Sequence, residues 1–267
     1  MWKRVKYHVP DALVVSQRQT GTNIYTLTIA CREIATEAKP GQFVHLRCSS
    51  GLDPLLRRPF SIYQVERKEG LVSFCYQVVG KGTKLLSRVK EGTFLDVMGP
   101  LGHGFETELC GKRVGLIGGG LGIAPLIFLG QELAKNNEVQ GFWGGRSKVM
   151  MPQLAVTSDF PYFLATEDGS AGHRGLVTEL VEQWLQQETP DQLYACGPRP
   201  MLAAVAQLAR SKEIPLQVSL ESVMACGVGA CLGCICEKAG ADEEKRLKVC
   251  QDGPVFWAEE VQWDGEN

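Results

Sequence analysis

The sequence has 267 residues, of which 44% are hydrophobic and 22% charged, so it is long enough for two compact domains with a small third one and does not have the composition of a disordered chain. Its formal net charge of −2 gives no electrostatic reason to expect binding to nucleic acid or to an anionic membrane. We predict no signal peptide, because the basic N-terminal residues precede no apolar stretch. We also predict no membrane span, because the longest uncharged run, residues 114–131, contains six glycines and a proline.

The first hundred residues predict a small antiparallel β-barrel. Short runs rich in β-branched and aromatic residues are broken by Gly, Pro and polar turns, with strands predicted at residues 24–29, 43–47, 71–79 and 93–97. Several such strands at close spacing are typical of a barrel.

Two short motifs in this region suit a phosphate-bearing cofactor. Between two strands lies Arg58-Pro59-Phe60-Ser61, in which an arginine can pair with a phosphate while the following backbone faces a flat ring. A glycine-rich turn at residues 79–84 opens a predicted helix, residues 84–89, whose N-terminal N–H groups could bind a pyrophosphate. Either motif alone also fits an ordinary turn.

From Arg113 the pattern changes to strand, glycine loop and helix. A strand runs into residues 118–122, and a helix follows to about residue 134. Backbone without side chains can approach a dinucleotide closely, so Gly119, Gly120 and Gly122 are candidate nicotinamide contacts. Pro125 stands where the third glycine of the Rossmann fingerprint would be, and a proline is tolerated in the first turn of a helix.

Further strand–helix units predict a parallel sheet with its site at the carboxyl ends of the strands. Strands are predicted at residues 139–143 and 162–166, a helix at 176–186 and a strand–loop–helix unit from residue 192. Arg146 follows the second strand where an acidic residue would select NADH, so NADH against NADPH stays open on residues alone. Cys196-Gly197-Pro198 ends a strand, and Cys196 fits either simple packing or a thiol beside a nicotinamide.

The C-terminal region carries a cysteine pattern. Cys226, Cys231 and Cys234 form a C-x4-C-x2-C run and Cys250 follows a charged insert, which is the plant-type spacing for a [2Fe–2S] cluster. We expect the fourth thiolate from a returning strand; zinc or a pair of disulfides would also account for four cysteines. Strand alternation points Cys236 in a different direction from Cys234, so we leave Cys236 out of the ligand set.

The remaining features of this region bear on its surroundings. Gly227, Gly229 and Gly233 permit the unusual backbone angles that such a loop needs. The insert at residues 237–248 predicts a solvated hairpin. Because no signal peptide is predicted, the ten cysteines are interpreted as reduced thiols and cluster ligands of a cytoplasmic protein.

The order of these motifs resembles the ferredoxin–NADP reductase superfamily over residues 1–215, whose members bind FAD on a barrel and nicotinamide on a second domain. With the cysteine tail, the full length is similar to electron-transfer subunits of NAD-dependent type B dihydroorotate dehydrogenases. The resemblance implies that the chain binds FAD, a [2Fe–2S] cluster and NAD(H), with NADH as the nicotinamide. The implied FAD-binding residues are Arg58, Pro59, Phe60, Ser61, Cys75, Tyr76, Gln77, Gly82 and Thr83. The implied cluster ligands are the same four cysteines, and the nicotinamide contacts that we expect besides the three glycines are Gly197 and Pro198.

The resemblance implies an α+β multidomain chain: an FAD-binding β-barrel at residues 1–104, an α/β nicotinamide domain with a parallel sheet at 105–215 and a small [2Fe–2S] domain at 216–267. A TIM barrel of about 250 residues for a second flavin does not fit in this length. Oxidation of dihydroorotate would therefore occur on a partner, an FMN-containing catalytic subunit in an α2β2 heterotetramer.

The residues leave several other interpretations open. Glu221 either faces the flavin edge, as a catalytic residue handling a proton, or is a solvated strand-end carboxylate. His45, His103 and His173 are interpreted as surface or core residues. The chain could also be the NAD(P)-binding subunit of a sulfhydrogenase, an electron-bifurcating transhydrogenase or an anaerobic sulfite reductase, or a non-catalytic redox regulator.

Overall fold

The computed structural model describes residues 7–153, 159–240 and 246–263. Its N-terminal part is a closed six-stranded antiparallel barrel in the order β1-β2-β5-β4-β3-β6. Alternate residues of these strands, such as Leu27, Val44 and Phe74, fill the interior and are wholly buried. The strands are β1 (Tyr7–Gly21), β2 (Ile24–Ala30), β3 (Phe43–Leu46), β4 (Arg58–Glu66), β5 (Leu71–Gln77) and β6 (Phe94–Leu101). The barrel predicted from the sequence is confirmed.

Two short helices accompany the barrel, α1 (Arg32–Glu37) and α2 (Lys81–Leu86). The prediction that the second begins at residue 84 was wrong by three residues. The hydroxyl of Thr83 accepts the N–H groups of Val79 and Gly80 at 3.0 and 3.2 Å, which caps the first turn and starts the helix earlier. Gly82 therefore lies inside the helix and not in the turn before it.

The second domain is a seven-stranded sheet in the order β10-β9-β8-β7-β11-β12-β15, parallel except for β15. Its strands are β7 (Arg113–Gly119), β8 (Glu138–Gly145), β9 (Tyr162–Thr166), β10 (His173–Arg174), β11 (Gln192–Cys196), β12 (Leu216–Ser219) and β15 (Val255–Trp257). The helices are α3 (Ile123–Leu133), α4 (Val177–Gln187) and α5 (Arg199–Ser211). The predicted parallel sheet is confirmed.

The cysteine region is built onto the end of this sheet. A two-stranded antiparallel ladder, β13 (Ile235–Glu237) and β14 (Arg246–Lys248), carries the charged insert, whose tip at residues 241–245 lies outside the described residues. The chain then returns as β15 and pairs with β12. The division proposed at residue 215 thus falls between two strands of one sheet.

Two shared cores join the parts. Ile24, Tyr63 and Cys75 on the outer face of the barrel pack with Ile123 and Ile127 of α3. A second core combines barrel residues such as Phe43 with residues of β12 and of the cysteine region. The flavin-type motif, the glycine loop and the cysteines are held next to one another by this packing. No helix among the described residues is long and apolar enough to cross a membrane.

Candidate functional site

The loop at residues 226–234 carries three of the four predicted cluster ligands. Its backbone enters the left-handed region at Gly227, with φ +70°, Gly229, with φ +79°, and Leu232, with φ +57°. Glycine adopts this conformation at little cost, and alternation between right- and left-handed residues turns successive N–H groups towards one side. The sequence therefore builds a concave surface of N–H groups around the cysteines.

Those N–H groups point at sulfur. Val228 and Ala230 donate to Cys226 Sγ at 3.5 and 3.2 Å, and Gly229 donates to Cys250 Sγ at 3.0 Å. Hydrogen bonds of this kind favour the charged thiolate, which is the form that binds a metal. The loop thus fits an iron–sulfur cluster, with backbone donors already aimed at its ligands.

The four sulfurs form two pairs. Burial alone would raise the pKa of Cys226, but the N–H groups of the loop together with the side chain of Cys231 lower it to about 7. A side-chain hydrogen bond with Cys250 is the main cause that lowers the pKa of Cys234 to about 6, and the same bond raises the pKa of Cys250. Two thiol pairs suit a cluster in which each of two irons takes two protein ligands.

The pairing differs from a compact zinc site. Across the three described ranges, no three Cys, His, Asp or Glu side chains converge as they would around one metal ion. All ten cysteines lie within those ranges and none forms a disulfide. One detail of the prediction was wrong: Cys250 lies in the turn after β14 and not in a returning strand.

Cys236 lies outside these pairs. It is buried in β13, and burial is the main cause that raises its pKa to about 11, opposite in direction to the shift at Cys234. Its place apart from both pairs, and not its pKa, leaves it out of the candidate ligand set, because the pKa of Cys250 is raised as well.

The flavin-type motifs meet at one end of the barrel. A Cβ atom placed on Gly82 would lie 3.2 Å from Arg58 Nε, so the guanidinium lies close against the first turn of α2. A cation and the N–H groups of a helix start are thereby brought together, and both suit a phosphate. This closeness between two distant motifs fits the pyrophosphate of a dinucleotide cofactor.

Phe60 and Tyr76 belong to an aromatic group beside Arg58. Their ring centroids lie 5.4 Å apart, and Tyr76 stacks on Tyr25 at 5.8 Å with an interplanar angle of 21°. The Tyr76 hydroxyl accepts a hydrogen bond from Gln17 Nε2 at 2.6 Å. Cys75 lies on the other face of β5, against α3, where burial raises the pKa of its thiol to about 12.

A cavity of about 440 Å³ lies where the barrel meets the carboxyl ends of the parallel strands. Gly119, Gly120 and Pro198 line it from the sheet, and Ile24 and Gln77 line it from the barrel. The carboxyl edge of a parallel sheet is the usual place for a nucleotide. This cavity is therefore where a nicotinamide would reach a flavin on the barrel.

Comparisons with known proteins agree with this geometry. Residues 221–262 match the family described as the iron-sulfur cluster binding domain of dihydroorotate dehydrogenase B, and residues 12–105 match the oxidoreductase FAD-binding domain. The electron transfer subunit of dihydroorotate dehydrogenase B (NAD(+)) from Desulforamulus reducens is 39% identical over 95% of this chain and 98% of that protein. The same subunit from Geobacillus thermodenitrificans is 43% identical over 93% of this chain and 96% of that protein. This chain belongs to the family of dihydroorotate dehydrogenase B electron-transfer subunits.

Solved structures support the same fold. One solved structure is described as that of NADH-dependent reduced ferredoxin-NADP oxidoreductase, in work on flavin-based electron bifurcation. Its match to this chain has a TM-score of 0.85 at 33% identity and spans 96% of this chain and 91% of that chain. The ferredoxin reductase in carbazole 1,9a-dioxygenase shares the fold, with a TM-score of 0.68 at 20% identity. This match spans 79% of this chain and 68% of that chain. The resemblance, the fold class and the FAD and iron–sulfur cofactors expected from the sequence are thus confirmed.

The three glycines that are predicted to contact the nicotinamide, Gly119, Gly120 and Gly122, differ in the space around them. Gly120 has φ +56° and a Cβ there would meet nothing within 4 Å, so it is open to the cavity. A Cβ on Gly122 would lie 2.2 Å from the carbonyl oxygen of Cys196, and one on Gly119 would lie 2.6 Å from Met201 Sδ. Gly119 and Gly122 therefore have a packing role, because their lack of a side chain lets α3 and the loop after β11 approach β7. This role does not depend on a contact with the nicotinamide.

Cys196 and Glu221 lie near each other at the carboxyl ends of β11 and β12. Cys196 is only 3% exposed; its burial is the main cause that raises its pKa to about 12, and the charge of Glu221 adds to it. Glu221 has an exposed side chain, yet desolvation by the protein around it raises the pKa of its carboxyl group. Its carboxylate can hold a proton more readily than an ordinary surface glutamate.

Three residues of the site were not singled out from the sequence. Glu167 and Met201 line the cavity, and His45 lies buried beneath the cluster loop. Glu167 follows a predicted strand, so its position after β9 was a usable signal. Nothing in the alternation of β3 distinguishes His45, because its environment comes from a loop more than 180 residues away in the chain.

Proposed function

We propose that this chain carries electrons between NAD(H) and a separate catalytic subunit that oxidises dihydroorotate, in the synthesis of pyrimidines. The observation that carries the proposal is the placement of three cofactor sites side by side. The cavity at the sheet edge borders the barrel, and the cluster loop lies on β3, the strand paired with Arg58-Pro59-Phe60-Ser61.

When bound, FAD exchanges electron pairs with a nicotinamide and single electrons with an iron–sulfur cluster. In our proposal the chain holds these groups in a fixed order. Arg58 and the first turn of α2 hold the pyrophosphate of FAD, with Gly82 and Thr83 shaping that turn, and Phe60, Ser61, Cys75, Tyr76 and Gln77 shape the ring site. The four paired cysteines hold the irons, and Gly120 with Pro198 admits the nicotinamide.

We assign Glu221 to the flavin edge, where its carboxylate would hold or release a proton as the ring changes charge. Its raised pKa and its place just after β12, close to Cys196 at the carboxyl end of β11, support this role. Replacing Glu221 with Gln keeps the shape and removes the ionisable proton, so we expect slower flavin bleaching by NADH in stopped flow. An unchanged rate would remove the role, and Glu259→Gln, on an exposed turn, is the matched control.

The partner would be an FMN-containing catalytic subunit in an α2β2 heterotetramer, in the cytoplasm. The names of the relatives, which describe one subunit of a larger enzyme, support a partner. Cys231 is exposed while Cys234 and Cys250 are buried, so one side of the cluster site faces outwards. Co-expression with a dihydroorotate dehydrogenase catalytic subunit, followed by mass measurement in solution, tests this assembly.

The first experiment is anaerobic purification, a visible spectrum, addition of NADH and low-temperature EPR. We expect flavin absorbance that bleaches and a signal from a reduced two-iron cluster. A colourless protein, or one that contains zinc, would refute the electron-transfer function. Comparison of the Kd values for NADH and NADPH tests our preference for NADH, for which Arg146 gives no support.

A second candidate is a chain of an NADH-dependent reduced ferredoxin-NADP oxidoreductase. The fold match to such a structure at a TM-score of 0.85 and 33% identity favours it over a subunit of a sulfhydrogenase or a sulfite reductase. The two candidates differ in their acceptor. Reconstitution with a dihydroorotate dehydrogenase catalytic subunit should give NAD+-dependent oxidation of dihydroorotate, and its failure beside success with a ferredoxin-linked partner would favour the second candidate.

A further inference from the structure

His45 is a buried side chain whose polar atoms are unsatisfied. Its exposed fraction is 0%, and neither Nδ1 nor Nε2 has a hydrogen-bond partner within the described residues. An imidazole always carries at least one N–H, whatever its tautomer or charge. Because buried polar groups are almost always hydrogen-bonded, this orphaned donor indicates an acceptor that is not among the described residues.

The ring lies between the flavin strand and the cluster loop. His45 pairs with Pro59 across β3 and β4, which places it beside the flavin-binding motif. On its other side, a Cβ on Gly227 would lie 2.6 Å from His45 Nδ1, so the loop that carries Cys226 rests directly on the ring.

In the part of the barrel that the structure describes, no side chain next to the ring offers an acceptor to this donor. Arg57 and Arg58, the charged groups that act on the ring, are cations with donors only. Pro59 has an apolar ring, and the carbonyl of His45 itself lies near Arg57 Nη1 at 3.4 Å. The Cys226 backbone lies close enough to act on the ring but does not meet hydrogen-bond geometry. The acceptor must therefore come from the side of the cluster loop.

We propose that His45 donates a ring N–H to the iron–sulfur cluster held at Cys226 and thereby sets its reduction potential. The inference rests on the iron–sulfur site proposed above and adds a positioning residue from the barrel to it. Hydrogen bonds to the sulfurs of a cluster stabilise its more negatively charged, reduced form, and so raise its potential. His45 would thus raise the potential of the cluster from β3, the strand that pairs with the flavin-binding motif on β4.

The test is an EPR-monitored redox titration of the purified holoprotein and of two variants. His45→Leu keeps the bulk and removes the donor, and we expect the one-electron equilibrium to shift about tenfold towards the oxidised cluster, which corresponds to a potential lower by ~59 mV. His45→Asn can still present an N–H near the position of Nδ1 and should restore most of the shift. His173→Leu, on the nicotinamide domain, should leave the potential unchanged.

An unchanged cluster potential in His45→Leu would overturn the proposal, and so would a shift confined to the flavin potential. Should the Leu variant not fold, pulsed EPR on the wild-type protein with ¹⁵N-labelled histidine gives a separate answer. We expect a weak ¹⁵N coupling to the reduced cluster that is lost in His45→Asn, where the donor is no longer a histidine. Absence of this coupling would refute the contact. Absence of any cluster signal would instead count against the proposed function.

Discussion

Two of the glycine-rich loops can be compared, one at residues 226–234 around the cysteines and one at 118–122 after β7, and their glycines serve different physical needs. In the first, Gly227 and Gly229 have left-handed backbones and turn N–H groups towards sulfur. In the second, Gly122 has an ordinary helical φ of −60° and is required because a side chain would strike the Cys196 carbonyl. One loop needs glycine for its conformation, and the other mostly for its lack of volume.

A glycine-rich motif beside a strand is often interpreted as a ligand contact, but two of the three predicted nicotinamide glycines already have a packing role. Only Gly120 combines a positive φ with open space. Substitution by alanine can separate the requirement for a small residue from the requirement for a left-handed backbone. At a glycine with negative φ the loss of stability reports the added volume, and at one with positive φ it reports the cost of the conformation.

The largest expected effect of a substitution is loss of the cluster, and it is expected at a predicted ligand in the first loop. Cys226→Ser should abolish the cluster, because a hydroxyl is a far weaker ligand for iron than a thiolate, and the loop donors would lose their acceptor. We expect bound iron, measured by chemical assay, and the visible cluster absorbance to fall at least about tenfold. Cys236→Ser, the matched control, should retain iron, and equal losses in both variants would show that the paired ligand set is wrong.

Next is Gly122→Ala in the second loop. Its Cβ would lie 2.2 Å from backbone oxygen that cannot move without displacing β11. Overpacking usually costs about 1–3 kcal/mol, and a clash between two backbones lies at the upper end, so we expect the free energy of unfolding to fall by about 3 kcal/mol. Denaturant unfolding of the apoprotein measures this. A change below about 1 kcal/mol would mean that the loop is not held as closely as described.

These two loops also show what could be read from the sequence. The barrel strands follow from alternation and are confirmed. The four cysteines predicted from spacing lie together in two pairs, and their role as cluster ligands stays a prediction. The start of α2 did not follow, because the capping contact of Thr83 overrode the turn preference of Gly82. The pairing of β12 with β15 and the burial of His45 were not visible either. Both depend on contacts between distant segments, for which a single sequence gives no local signal.

A smaller loss of stability is expected at Gly227, where a left-handed backbone and a lack of space both favour glycine. Alanine would adopt φ +70° at a cost of about 1 kcal/mol. Its Cβ would also press on the buried ring of His45 from 2.6 Å, which adds about 1 kcal/mol. Unfolding of the apoprotein should therefore show a loss of about 2 kcal/mol. Gly233→Ala, whose Cβ would meet only Cys231 Sγ at 3.5 Å, should be close to neutral.

The smallest effect on stability is expected at Gly120, the one glycine of the second loop that resembles those of the first. Alanine there meets no atom within 4 Å but must adopt φ +56°, so the cost is conformational and amounts to about 1 kcal/mol. The added methyl group would project at the edge of the cavity where the nicotinamide is proposed to bind. We therefore expect a raised KM for NADH from a fold that is almost unchanged, the reverse of Gly122→Ala. If Gly120→Ala lost stability without weakening NADH, Gly120 would have only a structural role, and the assignment of this cavity to the nicotinamide would lose its main support.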